Sequence, residues 1–279
     1  MRVAHLILVH AHPNQLSRLV ERLAHPKAVF FIHVDKKVDI VEFERLFSDA
    51  TNVFFIKNRV SIQWATYSMV EATLNGFKEI LSQGLKIDYI NLLSAQDYPL
   101  KPIVEFHAFL DANPGKAFME CLSVEKEWTE AISRVKEYHF NHWKMPGKFM
   151  FQKFFNSILP IRKMPDGLIP VGRSQWFTIS SKHVEFLIRR LDTSPHIVKF
   201  FTYSWAPDEL IFQTLLFNSE YQKDIVGDNL RYIDWSDHKQ NPKLLTTEDF
   251  NTFMQSGKFF ARKFMENDKV LDMIDERIG

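Results

Sequence analysis

Apolar runs of strand length alternate with helix-length segments over the first 120 residues, and no other feature limits the possible folds as tightly. Residues 3–9 are continuously apolar apart from His5, the pattern of a strand buried on both faces of a sheet. Residues 13–24 then place Leu16, Leu19, Val20 and Leu23 at i, i+3, i+4 and i+7, one face of a helix. Further strands are expected at 28–34, 52–56, 86–93 and 117–122, with helices at 38–47, 66–82 and 103–110. This order predicts an α/β fold with a mostly parallel sheet, helices around it and right-handed crossovers. Ligands of such sheets bind beyond the carboxyl ends of the strands. That directs attention to three loops: His10-Ala11-His12, Asp35-Lys36-Lys37 and the stretch from Ser94 through Asp97 to Pro99.

Composition removes several alternatives. Thirty-five Lys and Arg stand against 34 Asp and Glu, which argues against a dedicated nucleic-acid binder. Cys121 is the only cysteine, so an intramolecular disulfide or a multi-thiolate metal site cannot form, and a reducing, cytoplasmic setting fits best. The opening residues carry one positive charge and a short apolar run without a small-residue cleavage site, so they read as a first strand rather than a signal peptide. No apolar stretch approaches the roughly 18 residues of a membrane span, which leaves peripheral contact, for instance with an inner membrane face. The nine glycines lie five or more residues apart, so neither a G-x-G-x-x-G nor a G-x-x-x-x-G-K-[ST] phosphate loop exists. Any phosphorylated ligand must be held by side chains or a helix N-terminus.

The alternation breaks near residue 125. Between His139 and Lys163 there is no acidic residue, while Lys144, Lys148, Lys153, Arg162 and Lys163 are interspersed with Trp143, Phe149, Phe151, Phe154, Phe155 and Ile158. This is either a basic-aromatic surface for a membrane or polyanionic acceptor, or a packed helix or lid with a solvated lysine face. A strand at 175–179, helices at 181–191 and 207–217, a strand at 230–235 and a helix at 266–278 complete the chain. With no repeat or linker, residues 1–279 are expected to form one domain, an ordered half at 1–122 and an irregular half at 123–279.

Several groups have chemical potential. No Asp-x-Asp pair exists, Asp35 is followed by two lysines, and His10 and His12 belong to no metal-ligand motif, so neither a metal nor another cofactor is expected. Arg262 and Lys263, flanked by Phe260 and Phe264, are either a clamp for a diphosphate or a solvated charge pair at a strand end. Pro207-Asp208-Glu209 begins a helix; its carboxylates either complement the helix dipole or one of them faces the cleft as a general base, Glu209 being the better candidate because Leu210, Ile211 and Phe212 follow it. Asp97, after an apolar strand, is placed either to bind a ligand hydroxyl or to close its own turn.

The segments Phe31-Ile32-His33-Val34-Asp35-Lys36, Ile90 to Lys101, Ala206-Pro207-Asp208-Glu209 and Phe259 to Phe264 together resemble the core-2/I-branching family of glycosyltransferases, which contains β-1,6-N-acetylglucosaminyltransferases and peptide O-xylosyltransferases. The resemblance runs from about Ala4 to Glu266 in the family's order. It implies a GT-A fold, a Rossmann-type nucleotide-binding half joined to an acceptor-binding half. It also implies metal-independent inverting transfer of GlcNAc or xylose from UDP-GlcNAc or UDP-xylose to a glycan or peptide-linked acceptor. On this resemblance Glu209 is the general base, Arg262 and Lys263 neutralise the UDP diphosphate, and Val9, His10 and Asp35 meet the uridine. The segment Gly172-Arg173-Ser174-Gln175-Trp176-Phe177 borders the sugar and acceptor. Two departures stand out: xylosyltransferases carry an acidic residue where this chain has Gln175, and only His238 or Lys239 lies near a further basic residue of the animal N-acetylglucosaminyltransferases. One cysteine and no anchor suggest a bacterial-type member acting on polysaccharide. The rival readings are a nucleotide-sugar hydrolase or retaining transferase on the same fold, and a non-catalytic glycan- or membrane-binding module using residues 139–163.

Overall fold

A computed structural model describes residues 1–143, 145–237 and 240–279. In chain order its elements are β1 (Val3–Val9), α1 (Pro13–Arg22), β2 (Ala28–Val34), α2 (Val41–Leu46), β3 (Val53–Phe55), α3 (Tyr67–Ser82), β4 (Tyr89–Ser94), β5 (Asp97–Pro99), α4 (Ile103–Ala112), β6 (Ala117–Phe118), β7 (Leu122–Ser123) and α5 (Ile132–Lys136). There follow α6 (Lys148–Ile158), β8 (Val171–Gly172), β9 (Thr178–Ser180), α7 (Ser181–Asp192), α8 (Pro195–Thr202), α9 (Ile211–Phe217), β10 (Ile225–Val226), β11 (Arg231–Ile233), α10 (Phe250–Met254), β12 (Phe260–Arg262) and α11 (Lys269–Ile278).

The main sheet has seven strands in the order β10-β6-β9-β4-β1-β2-β3. β1 runs parallel to β2 and β4, β2 to β3 and β6 to β10, while β9 is antiparallel to both β4 and β6. The expected mostly parallel α/β sheet is therefore present. From β1 the chain moves to one side through β2 and β3; α3 then returns it to β4 on the other side of β1. The order of strands reverses there, which opens a crevice at the carboxyl ends of β1 and β4.

The unbroken apolar run of β1 is explained by cores on both faces. Ala4, Leu6 and Leu8 pack with Val70 and Phe77 of α3, Leu187 of α7 and Phe212 of α9, while Val3, Ile7 and Val9 pack with Leu16 and Leu19 of α1, Phe106 of α4 and Ile274 of α11. Gly76 brings α3 close to the sheet: a Cβ there would lie 2.6 Å from both Cδ atoms of Leu6.

Four details depart from the sequence expectation. The strand expected at 117–122 divides into β6, in the main sheet, and β7, which leaves it to pair with β8. The expected helix at 207–217 begins as a 3-10 turn, Pro207–Glu209, with α9 following a break at Leu210 (φ −127°, ψ −48°). α8 was not foreseen, although Pro195 occupies its first turn as such a helix favours. α11 begins later than expected because the Asp268 side chain accepts a hydrogen bond from Val270 N and caps the helix there.

A second sheet, β11-β12-β5, lies beside the crevice, with β12 antiparallel to β5 and parallel to β11. Tyr98 of β5 fixes it to the rest of the fold. Its hydroxyl donates to Asp275 of α11 (2.8 Å), and Arg18 of α1 donates to the other oxygen of that carboxylate (2.7 Å).

Candidate active site

The carboxyl ends of β1 and β2 meet where Asp35 N donates to Val9 O (2.8 Å). Asp35 is buried and organises its own turn, accepting from Lys37 N (2.9 Å) with Lys37 Nζ 3.4 Å away. His10, on the rim, is exposed to solvent; its pKa is lowered by partial burial and by His12, Lys263 and Lys37, against the pull of Asp35. Lys36 N donates to Val60 O and Val60 N to His33 Nε2 (2.9 Å), so the chain after β3 closes over the end of β2. The adjacent Val9 and His10 and the distant Asp35 thus form one edge of the crevice.

The antiparallel register of β5 and β12 sets Arg262 opposite Asp97. Asp97 has no exposed surface. One of its oxygens accepts from Ser94 N (3.1 Å) and the other lies 3.5 Å from Arg262 Nε, close enough for charge attraction but too long for a good hydrogen bond. Asp97 therefore closes its turn and adds a counter-charge for Arg262. The guanidinium lies over the Trp176 indole, 4.2 Å from the ring centroid, and its buried Nε and Nη1 have no hydrogen-bond partner among the described residues. Burial lowers the Arg262 pKa and raises that of Asp97, so the mutual attraction of the pair does not offset the loss of water. Lys263, half-buried, has its pKa lowered by burial and by the charge of Arg262. Its influence on His10 links this segment to the β1 edge.

Glu209 ends the 3-10 turn. Ala206, in the left-handed region (φ 46°), donates its N–H to Ala65 O (3.1 Å) and sets the approach of that turn. Asp208 points inward and is buried, with its pKa raised by burial and by the neighbouring Glu209 charge. Glu209 keeps a quarter of its side chain exposed and accepts from Arg134 Nη1 (2.5 Å). The Arg134 guanidinium is itself held between two indoles, 4.5 Å from the centroid of Trp128 and 4.3 Å from that of Trp205. Of the two carboxylates, Glu209 is the one available to a ligand.

The segment from Gly172 to Trp176 packs on the backbone of Glu209. Arg173 N donates to Glu209 O (3.1 Å), and a Cβ on Gly172 would lie 2.0 Å from that oxygen. Gln175 is buried with Nε2 unpartnered among the described residues, and Trp176 carries Arg262. Glu209 also acts on the pKa of Arg262 and on that of the half-buried Glu120. The base candidate and Arg262 thus share one electrostatic neighbourhood.

Arg134, Trp128, Trp205 and Glu120 were not singled out in the sequence, and neither was Arg231. That last residue is fully desolvated, donating to Asn91 Oδ1, Leu92 O (3.0 Å) and Phe177 O (3.2 Å), and so fastens β9 to β4 behind Asp97. Trp128 precedes a three-residue 3-10 turn and Arg134 lies in a five-residue helix, elements too short to carry a periodic signal. His238 and Lys239 lie outside the described residues. Among the described residues no three His, Cys, Asp or Glu side chains converge as a metal-ligand group would.

A family model described as Core-2/I-Branching enzyme matches residues 3–254. Xylosyltransferase 2 of Rattus norvegicus is 28% identical over 304 residues, covering 99% of this chain and 33% of that protein, and xylosyltransferase 2 of Homo sapiens gives the same figures. Xylosyltransferase 1 of Rattus norvegicus is 25% identical over 307 residues. The chain spans about a third of the length of these curated relatives. Among solved structures, mouse xyloside xylosyltransferase 1 in its apo form is 11% identical with a TM-score of 0.43, the match covering 94% of this chain and 97% of that one.

Proposed function

This chain belongs to the core-2/I-branching enzyme family, and from that premise we propose that it is an inverting glycosyltransferase. It takes xylose or GlcNAc from a UDP-sugar, without a divalent ion, and forms a β-linkage to a hydroxyl of a glycan or peptide-linked acceptor. The xylosyltransferase relatives make UDP-xylose the first donor to test.

The observation that carries this reading is the single neighbourhood shared by Glu209, a quarter exposed and held by Arg134, and Arg262, a buried cation whose Nε and Nη1 find no partner among the described residues. In the proposed displacement the acceptor oxygen attacks the anomeric carbon from the face opposite UDP. Glu209 removes that oxygen's proton as the bond forms. Arg262 and Lys263 offset the negative charge that grows on the departing diphosphate. Val9, His10 and Asp35 border the uridine, while Gln175 and Trp176 border the sugar. Asp97, without exposed surface, serves the same ligand through Arg262.

The test is a thermal-shift and turnover screen of the purified chain against UDP-sugars, with and without excess EDTA, repeated with Glu209→Gln. A donor should stabilise both proteins to within a few-fold in affinity, while the variant loses several orders of magnitude in transfer. Near-normal turnover by Glu209→Gln would remove the base assignment, magnesium-restorable loss in EDTA would remove metal independence, and an α-linked product would remove inversion.

A further inference from the structure

We propose that α6 docks this chain onto an anionic lipid bilayer. The helix is amphipathic in the reverse of the usual sense. Its inward side carries amides beside Phe155, which packs on Phe140 (ring centroids 5.6 Å apart): Gln152 Oε1 accepts from Phe140 N (3.2 Å), and Asn156 exchanges two hydrogen bonds with the backbone of Tyr138 (2.8 and 3.0 Å). Met150, Phe154 and Ile158, four residues apart and so on one line of the helix, are 79%, 59% and 60% exposed, and Phe149 beside them is 67% exposed. None of the eleven helix residues is buried. Ile161, 72% exposed, extends the ridge past the helix end. An apolar ridge of this extent marks an interaction surface.

Charge selects the occupant. Lys153 and Lys163 are exposed beside the ridge, Lys148 stands at its start, and no acidic residue occurs from His139 to Lys163. A second copy of the same ridge would bring lysines against lysines, whereas a bilayer with anionic headgroups accepts both the apolar line and the flanking cations. A protruding ridge also suits a fluid interface better than a preformed groove. No helix of the described residues is long and apolar enough to cross a membrane, so the contact lies in the plane of the interface. The ridge is rigidly based. Arg162 donates to Glu137 O and Tyr203 O (2.8 Å each), and Arg162 N donates to Lys136 O (3.1 Å) at the end of α5, the helix that carries Arg134.

The experiment is co-sedimentation of the full chain with vesicles of phosphatidylcholine alone and of phosphatidylcholine mixed with phosphatidylglycerol. The mixed vesicles should bind at least about tenfold more tightly, and the difference should shrink in high salt. Phe154→Glu with Ile158→Glu should abolish binding while leaving the thermal midpoint unchanged, because both side chains point into solvent; Lys153→Glu with Lys163→Glu should remove the preference for anionic vesicles. The proposal fails if the wild type binds neither vesicle, if the glutamate variant binds like wild type, or if light scattering shows a dimer that the glutamate variant dissolves while no vesicle is bound. Each readout is independent of transfer activity and stands whether or not the proposed reaction does.

Discussion

Asp97 and Arg262 face each other across the antiparallel β5–β12 pair, carboxylate oxygen 3.5 Å from Nε, both removed from water. Among the described residues the guanidinium Nε and Nη1 have no hydrogen-bond partners, so the pair is incompletely compensated until an anion arrives. Replacing Asp97 by Asn removes the counter-charge that faces the buried cation across the strand pair and should destabilise the fold by about 3–5 kcal/mol. Arg262→Met should cost less in stability, since its apolar side chain still covers Trp176, but should lower affinity for UDP. Urea unfolding and UDP titration of the two variants and the double variant check this. Additive stability effects would show that the two residues do not act as a pair.

Arg134 holds the candidate base while its guanidinium is occupied by two indoles, so its part is to position Glu209. The planar guanidinium fits between Trp128 and Trp205 in a way an ammonium cannot. Displacing a reacting group by about 1 Å can cost about 100-fold in rate. Arg134→Met should therefore lower kcat by about that factor with the donor KM nearly unchanged, and Arg134→Lys should recover part of it. A fall confined to KM would instead make Arg134 a substrate contact.

How much of this could be read in advance depends on the distance over which each feature is encoded. The central strands were legible because β1 must be apolar on both faces, and α3 because a helical period sustained over sixteen residues leaves little choice. Adjacency of Asp208 and Glu209 does not say which carboxylate turns inward; the contact of Ala206 with Ala65 and the packing of Gly172 set the turn so that Asp208 is buried and Glu209 stays partly exposed. The Asp97–Arg262 register and the Arg134 sandwich join segments far apart in the chain, and no local pattern encodes them. At α6 the phenylalanines suggested a packed helix as readily as a surface, and only the amide contacts of Gln152 and Asn156 reveal which side faces the protein.

His33 provides a pH prediction. Its buried imidazole accepts a hydrogen bond from Val60 N, and burial lowers its pKa to about 4, with Asp35 opposing and Arg59 adding to the effect. In the unfolded chain the group titrates near 6.5. The folded form therefore resists protonation: the stabilisation is complete above pH 6.5 and is lost as pH falls towards 4, about 3 kcal/mol in all. Urea unfolding from pH 7 to pH 4 should show wild type losing stability well above the carboxylate range, while His33→Gln gives a flatter profile. Parallel profiles for the two proteins would mean that His33 does not carry the effect.

Gly172 separates fold from function by a direct comparison with Gly76. A methyl group on Gly76 meets the ends of the Leu6 side chain at 2.6 Å, atoms that can move by rotation; on Gly172 it meets the Glu209 carbonyl oxygen at 2.0 Å, an atom fixed by the hydrogen bond from Arg173 N. Overpacking of either kind costs about 1–3 kcal/mol, but at Gly172 the relief must come from the turn that carries the candidate base. Gly76→Ala should lower the thermal midpoint while leaving kcat within about twofold of wild type, because the Leu6 side chain can rotate away from the added methyl without a shift of the α3 backbone. Gly172→Ala should lower kcat by about 100-fold or more even where circular dichroism shows a folded protein, since Glu209 and its contact with Arg134 must give way together. If the folded Gly172→Ala protein turned over substrate like wild type, the turn at Glu209 would not be the part of the site on which the chemistry depends.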